Sequence, residues 1–214
     1  MFGLTPYSFP YSFFRIKRID GWTLLVTFVV TLGVGIDQGI LTGILFSLVL
    51  FVARSSHPRT VTLGYRAADN SYRDIRRHPA VATDPEMILI RVDSSLYFAN
   101  ARFVEDRVRE SMAVTPRARW VVMDMSGVND VDAVAVSTLD NLMEEAGDQG
   151  VRFAFAGMKT QVRKVVERAG WPQRLGPAMD YPSLETAVRE VRKAASEPAD
   201  TDASPNDGRS GFTP

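Results

Sequence analysis

From Trp22 to Ile36, and again from Gly39 to Ala53, the chain carries no charged residue, so the two runs place thirty uncharged residues, with only Asp37-Gln38 between them, in a span of 32. Each run of 15 residues would be about 22 Å long as a helix at 1.5 Å per residue. That is short against a hydrocarbon core of about 30 Å. Two buried helices of a soluble protein would need a large core around them. The rest of a 214-residue chain is too small to supply one. The pattern therefore predicts a transmembrane helical hairpin over 20–54, turning at Asp37-Gln38 among Gly33, Gly35 and Gly39. Arg15, Lys17 and Arg18 precede the first run, and Arg54, Arg59 and Arg66 follow the second. The bias of basic residues toward the cytoplasm places both ends inside, as in a multi-pass protein of the inner membrane.

Residues 1–19 are expected to be irregular: MFGLTPYSFPYSFF is aromatic, broken by two prolines, and shows neither a helical nor a strand period. It lacks the basic start and apolar run of a signal peptide. Residues 196–214, rich in proline, serine and acidic residues, are expected to be a disordered tail. The 25 basic and 25 acidic residues balance, so nothing global points to nucleic acid. The absence of cysteine excludes disulfides and thiolate metal sites. His57 and His78 stand alone near prolines in polar stretches, whereas a metal site needs several converging donors.

From His57-Pro58 onward the composition is that of a soluble α/β unit. A linker at 55–82 contains a possible strand at Thr60–Leu63, within a polar connection that runs from Gly64 to Pro85. Met87–Val92 reads as a strand, Asp93-Ser94-Ser95 as a turn, and Leu96–Phe98 as a second strand. An amphipathic helix at Asn100–Ala113 presents Val104, Val108 and Met112 on one face. Val121-Val122-Met123 is apolar enough for a strand buried on both faces. Val151–Ala156 is another strand. Thr160 is placed to cap a helix carrying Val162, Val165 and Val166 that ends at Gly170, and Ser183 to cap the last one. Strands alternating with helices over 83–195 predict an α/β domain with helices covering the sheet.

The stretch after Val121-Val122-Met123 carries the candidate site. Ser126-Gly127 breaks the strand, Asn129 and Asp130 favour turns, and Asp132 is the preferred N-cap of a helix, with Val131 placed to staple onto Val136. Loops at strand C-terminal ends are where α/β domains place recognition. Ser126, Gly127, Asn129, Asp130, Asp132 and Val134 are thus the expected partner-binding residues. Asp124, Asp130 and Asp132 could in principle hold a divalent cation, but two of them lie where caps belong. No Ser–His pair or glycine-rich phosphate loop is present, so the residues point to no enzyme, no metal and no cofactor. Lys159, Arg163, Lys164 and Arg168 form a basic helix face, suited either to anionic headgroups or to plain solvation.

Three stretches, ILIRVDSSLYFANARF at 88–103, VVMDMSGVNDVDAVAVSTL at 121–139 and VRFAFAGMKTQVRKVVERAG at 151–170, resemble the STAS domain, the module shared by SulP-type anion transporters and bacterial anti-sigma-factor antagonists. The apolar pair at 20–58 resembles the last two membrane segments of SulP-type transporters, which lead straight into that domain. LGYRAADNSYRDI at 63–75 is similar to the connecting segment. The resemblance implies the C-terminal piece of a sulfate- or bicarbonate-type transporter: a fragment, a truncated frame or a split subunit. It would lack the segments that form the anion site. Partners would be those remaining segments or a second copy, membrane lipid, and a possible cytoplasmic regulatory protein. The alternative it implies is a membrane-tethered STAS signalling module. In the antagonists a serine shortly after the loop aspartate accepts phosphate. Here the matching positions are Ala133 and Val134, so a phosphoswitch is not expected.

Overall fold

The computed structural model describes residues 18–56 and 58–196. The aromatic segment before Arg18, His57 and the tail after Ser196 lie outside the described residues. Two helices come first, α1 (Arg18–Gly33) and α2 (Ile36–Ser55). The turn between them needs Gly35, whose φ of 142° suits only glycine. The two helices meet through small residues. A Cβ on Gly39 would lie 2.0 Å from Thr31 Oγ1, and one on Gly43 would lie 3.1 Å from Thr27. The Thr31 hydroxyl donates to the Thr27 carbonyl at 2.8 Å, so the close approach strands no polar group. Such small-residue packing is what helices use where solvent provides no hydrophobic drive. Apolar side chains all around the pair, among them Phe28, Leu32, Ile44, Leu48 and Phe51, are more than half exposed. Among the described residues, α2 is the one helix long and apolar enough to cross a membrane by length and composition.

The remainder forms one five-stranded sheet in the order β2-β1-β3-β4-β5. Its strands are β1 (Thr60–Arg66), β2 (Ser71–Asp74), β3 (Met87–Val92), β4 (Trp120–Asp124) and β5 (Arg152–Ala156). β1 runs antiparallel to both β2 and β3, while β3, β4 and β5 are parallel. The parallel strands are joined by α3 (Ala101–Val114) and α4 (Ala133–Asp148), and β5 is followed by α5 (Thr160–Arg168), α6 (Trp171–Leu175), a 3-10 turn at Gly176–Met179 and α7 (Leu184–Ser196).

Strand alternation divides the core in two. Ile88, Ile90, Val121, Met123, Phe153 and Phe155 pack with Val104 and Val108 of α3, Leu139 and Leu142 of α4, Val162 of α5 and Trp171. Leu63, Leu89, Trp120, Val122 and Ala154 face Leu184, Val188 and Val191 of α7. Asp140 of α4 accepts from Trp171 Nε1 at 2.9 Å and from Arg174 at 2.7 Å, which holds α6 in place. The expected α/β sheet covered by helices behind a helical pair is the architecture observed.

Three local expectations change. The polar connection Gly64–Pro85 contains the edge strand β2. Its sequence SYRD has one large apolar residue and therefore no readable alternation. Ala82 extends the ladder by exchanging two 2.8 Å hydrogen bonds with Tyr65. Leu96–Phe98 is no strand: Leu96 makes a single parallel bridge to Val131. The Tyr97 carbonyl then accepts from the N–H groups of Asn100 and Ala101, which starts α3. The N-cap of α5 is Lys159 rather than Thr160, because Lys159 holds the extended backbone that precedes the helix.

The linker thus supplies two of the five strands. A fragment spanning 58–196 is expected to unfold cooperatively at a clearly higher denaturant midpoint than one spanning 83–195. The shorter piece loses Leu63, whose burial contributes about 2 kcal/mol, and bares the edge of β3. Equal midpoints in urea titrations would show that β1 and β2 add nothing.

Candidate recognition loop and its junction with the hairpin

All loops after β3, β4 and β5, and the start of β1, lie at one end of the sheet, because Thr60 is paired with Val92 and Arg91 with Asp124. The loop after β4 begins with a buried acid. Asp124, on a side chain only 4 % exposed, accepts from Arg91 Nε at 2.7 Å and from the Ser126 N–H at 3.0 Å. The Met125 N–H continues the ladder to Ala156 O at 2.8 Å. At Gly127 the chain passes so close to β3 that a Cβ would lie 2.6 Å from Val92 O. No other residue fits without moving backbone. The Val128 N–H closes the turn on Met125 O at 2.9 Å, with Val128 fully buried.

The polar part of the loop is largely committed internally. Asn129 accepts from Lys159 Nζ through its side chain and from Gln161 through its carbonyl, which ties the loop to the start of α5. Asp130 Oδ1 accepts from the Val131 N–H at 2.9 Å, and the Asp130 carbonyl accepts from the Leu96 N–H at 2.9 Å. Asp132 caps α4 as expected, accepting from the Ala135 N–H at 2.7 Å. Its second oxygen accepts from the Phe98 N–H at 2.9 Å. One carboxylate therefore starts a helix and fixes the neighbouring loop. Ser126, Asn129, Asp130 and Val134 are exposed, and Gly127 and Asp132 are half-buried. The six expected residues are brought together on one surface, with Val131 and Val136 buried beneath it.

Asp124 belongs to a different role from Asp130 and Asp132. Its charge is neutralised by Arg91, so it adds no free negative charge to the loop. Among the described residues no three histidine or acidic side chains converge as metal ligands. On the basic face of α5, Arg163 pairs with the buried Asp180 carboxylate, and Lys159 is engaged by Asn129. Beyond β5, Tyr181 exchanges hydrogen bonds with Phe155 O and the Gly157 N–H. Burial raises the Tyr181 hydroxyl above its ordinary range, with Glu190 adding to the effect.

A second feature of this end escaped sequence reasoning. Asn100 is fully buried, and although it is the N-cap residue of α3 its side chain makes no bond to that helix. Its Oδ1 accepts from the Tyr97 N–H at 2.9 Å, while Nδ2 donates to Ser95 O at 2.9 Å and to Ser55 O at 3.4 Å. The Tyr97 hydroxyl also donates to Ser55 O at 3.3 Å. Ser55 is the last residue of α2, where helix carbonyls lack partners within the helix. The Tyr97–Asn100 segment therefore caps the hairpin. The FANA stretch was visible in the sequence as a motif. Its partner lies more than forty residues earlier, which no local pattern reveals.

In the full chain reconstituted in nanodiscs, Tyr97→Phe is expected to leave global unfolding within about 0.5 kcal/mol while speeding trypsin cleavage after Arg59. Asn100→Ala leaves the Tyr97 N–H and the Ser95 carbonyl without their partner and is expected to cost about 1–3 kcal/mol as well. Unchanged cleavage in both variants would mean that the junction bears no constraint.

Residues 78–187 match the STAS domain family. Over 212 residues the chain is 28 % identical to probable sulfate transporter 4.2 of Arabidopsis thaliana, covering 94 % of this chain and 31 % of that protein. Over 183 residues it is 28 % identical to a probable sulfate transporter of Mycobacterium tuberculosis, covering 84 % of this chain and 32 % of the other. The chain thus spans about a third of the length of these curated relatives, and both carry the name of a transporter. Murine Slc26a9, described as an anion transporter in the inward-facing state, superposes with a TM-score of 0.77 at 21 % identity, covering 87 % of this chain and 31 % of that one. That share exceeds the sheet unit, so the common fold takes in the helical pair as well. With half of its length matching the family, and sulfate transporters aligned across nearly all of it, the chain belongs to the STAS domain family, in the form found in SulP-type transporters.

Proposed function

We propose that this chain is the membrane-hairpin and STAS regulatory part of a SulP-type inorganic anion transporter, of the sulfate- or bicarbonate-carrying kind, and that it moves no anion alone. The observation that carries this reading is the junction itself. The helical pair enters the STAS unit through a carbonyl held by Tyr97 and Asn100, so a displacement of one is passed to the other without a slack linker. A conducting path needs polar groups lining a cavity shielded from lipid. Gly39 and Gly43 instead press α2 onto Thr31 and Thr27 of α1, which leaves no lumen between them. The outward apolar side chains are then surface for lipid, for further membrane segments or for a second copy.

In this reading residues 20–54 lie in the inner membrane with both ends cytoplasmic, and the STAS unit hangs in the cytoplasm. Ser126, Gly127, Asn129, Asp130, Asp132 and Val134 form the partner-binding surface. Because Asn129 and Asp132 are already used within the fold, a partner meets a preset surface rather than one that folds around it. Purified chain in liposomes is expected to leave sulfate, bicarbonate and chloride uptake at the empty-vesicle level; saturable, protein-dependent uptake would overturn the reading. The chain has no cysteine, so single cysteines report topology directly. In intact cells Asp37→Cys is expected to react with an impermeant maleimide, and Ser12→Cys and Ser196→Cys to be protected. Labelling at 12 or 196 would reverse the orientation.

A further inference from the structure

Outside the hairpin, the large apolar side chains left exposed among the described residues are Phe98 at 67 %, Val134 at 53 % and Val114. Val114 ends α3, at the far end of the sheet from the hairpin. Phe98 and Val134 share the hairpin end, Phe98 on the loop before α3 and Val134 in the first turn of α4. The Phe98 N–H is bound to Asp132, two residues before Val134, so the carboxylate that caps α4 holds that loop against the helix start. Phe98 directly follows Tyr97, with the two rings edge to face at 6.0 Å between centroids, and the Tyr97 hydroxyl reaches the last carbonyl of α2. Phe98 therefore sits one side chain away from the point where an apolar helix leaves the bilayer.

We propose that Phe98 and Val134 are a bilayer-inserting contact, by which the hairpin end of the STAS unit rests in the lipid interface beside α2. The proposal rests on the reading of α1 and α2 as a membrane hairpin. Two isolated side chains are too little for a stable protein interface, which covers about 800 Å² on each partner, yet they suffice to fill the shallow apolar boundary of a bilayer. Exposed charges near this end are of both signs, Arg59, Arg102 and Lys159 against Asp93 and Asp130. Apolar insertion rather than attraction to anionic headgroups therefore drives the contact, and it requires no anionic lipid. The junction at Ser55 sets the height of the STAS unit, and Phe98 and Val134 set its tilt.

The cysteine-free chain permits a direct test by nitroxide labelling of Phe98→Cys, Val134→Cys, Val114→Cys and Ile44→Cys, one at a time, in the full chain in pure phosphatidylcholine vesicles. Collision with oxygen is expected to exceed collision with a water-soluble nickel chelate at 98 and 134, and the ratio is expected to reverse at 114. The label at 44 tests the hairpin separately. An oxygen-dominated signal at 44 with water-like signals at 98 and 134 overturns the proposal and leaves the hairpin standing. A water-like signal at 44 overturns both. Slow collision with both reagents at 98 and 134 would mean that a second copy of the chain covers them, and would also overturn it.

Discussion

The arrangement depends on one buried amide. Asn100 satisfies all its hydrogen bonding with backbone groups from three places: the exit of β3, the approach to α3 and the end of α2. Burying such a side chain is favourable only when every donor and acceptor finds a partner. The Ser55 carbonyl is one of those partners, so the hairpin end helps to satisfy the amide. The same hydrogen bonds fix where the end of α2 lies relative to the sheet.

Because the parallel strands all end on that side, the loop after β4 inherits the position. Arg91 and Asp124, directly opposed in register, close the sheet beneath the loop, and Gly127 lets it cross β3 at a distance no side chain would permit. Asp132 then couples the loop to Phe98. The result is a surface made from two loops and one helix start at the hairpin end of the sheet.

The opposite end has no such coupling. There Arg152 stacks over Trp120 at 4.1 Å, and the β1–β2 turn is held by Asp69. The guanidinium of Arg66, with help from Ser71, keeps the Asp69 carboxyl well below its ordinary range. These are local stabilisers of exposed turns, and they bind no second element to the membrane side.

Sequence alone determined the elements whose signals are local. The charge-free pair of helices, the buried strands at Met87–Val92 and Val121-Val122-Met123, and the Asp132 cap all follow from composition, periodicity or a cap residue a few positions from its target. The six residues expected to bind a partner lie together because one short loop and the helix start after it contain them. Tertiary structure alone decided what depends on distant partners. β2 became a strand only because β1 offered it an edge, while Leu96–Phe98 was diverted from strand to helix start by the single bridge to Val131. Asp124 changed from a loop charge to half of an ion pair because Arg91, 33 residues earlier, lies opposite it. Asn100 and Tyr97 became the clamp on the hairpin for the same reason. Hydrogen bonds to backbone carbonyls leave no residue-type signature at the accepting end, so Ser55 could not announce its partners.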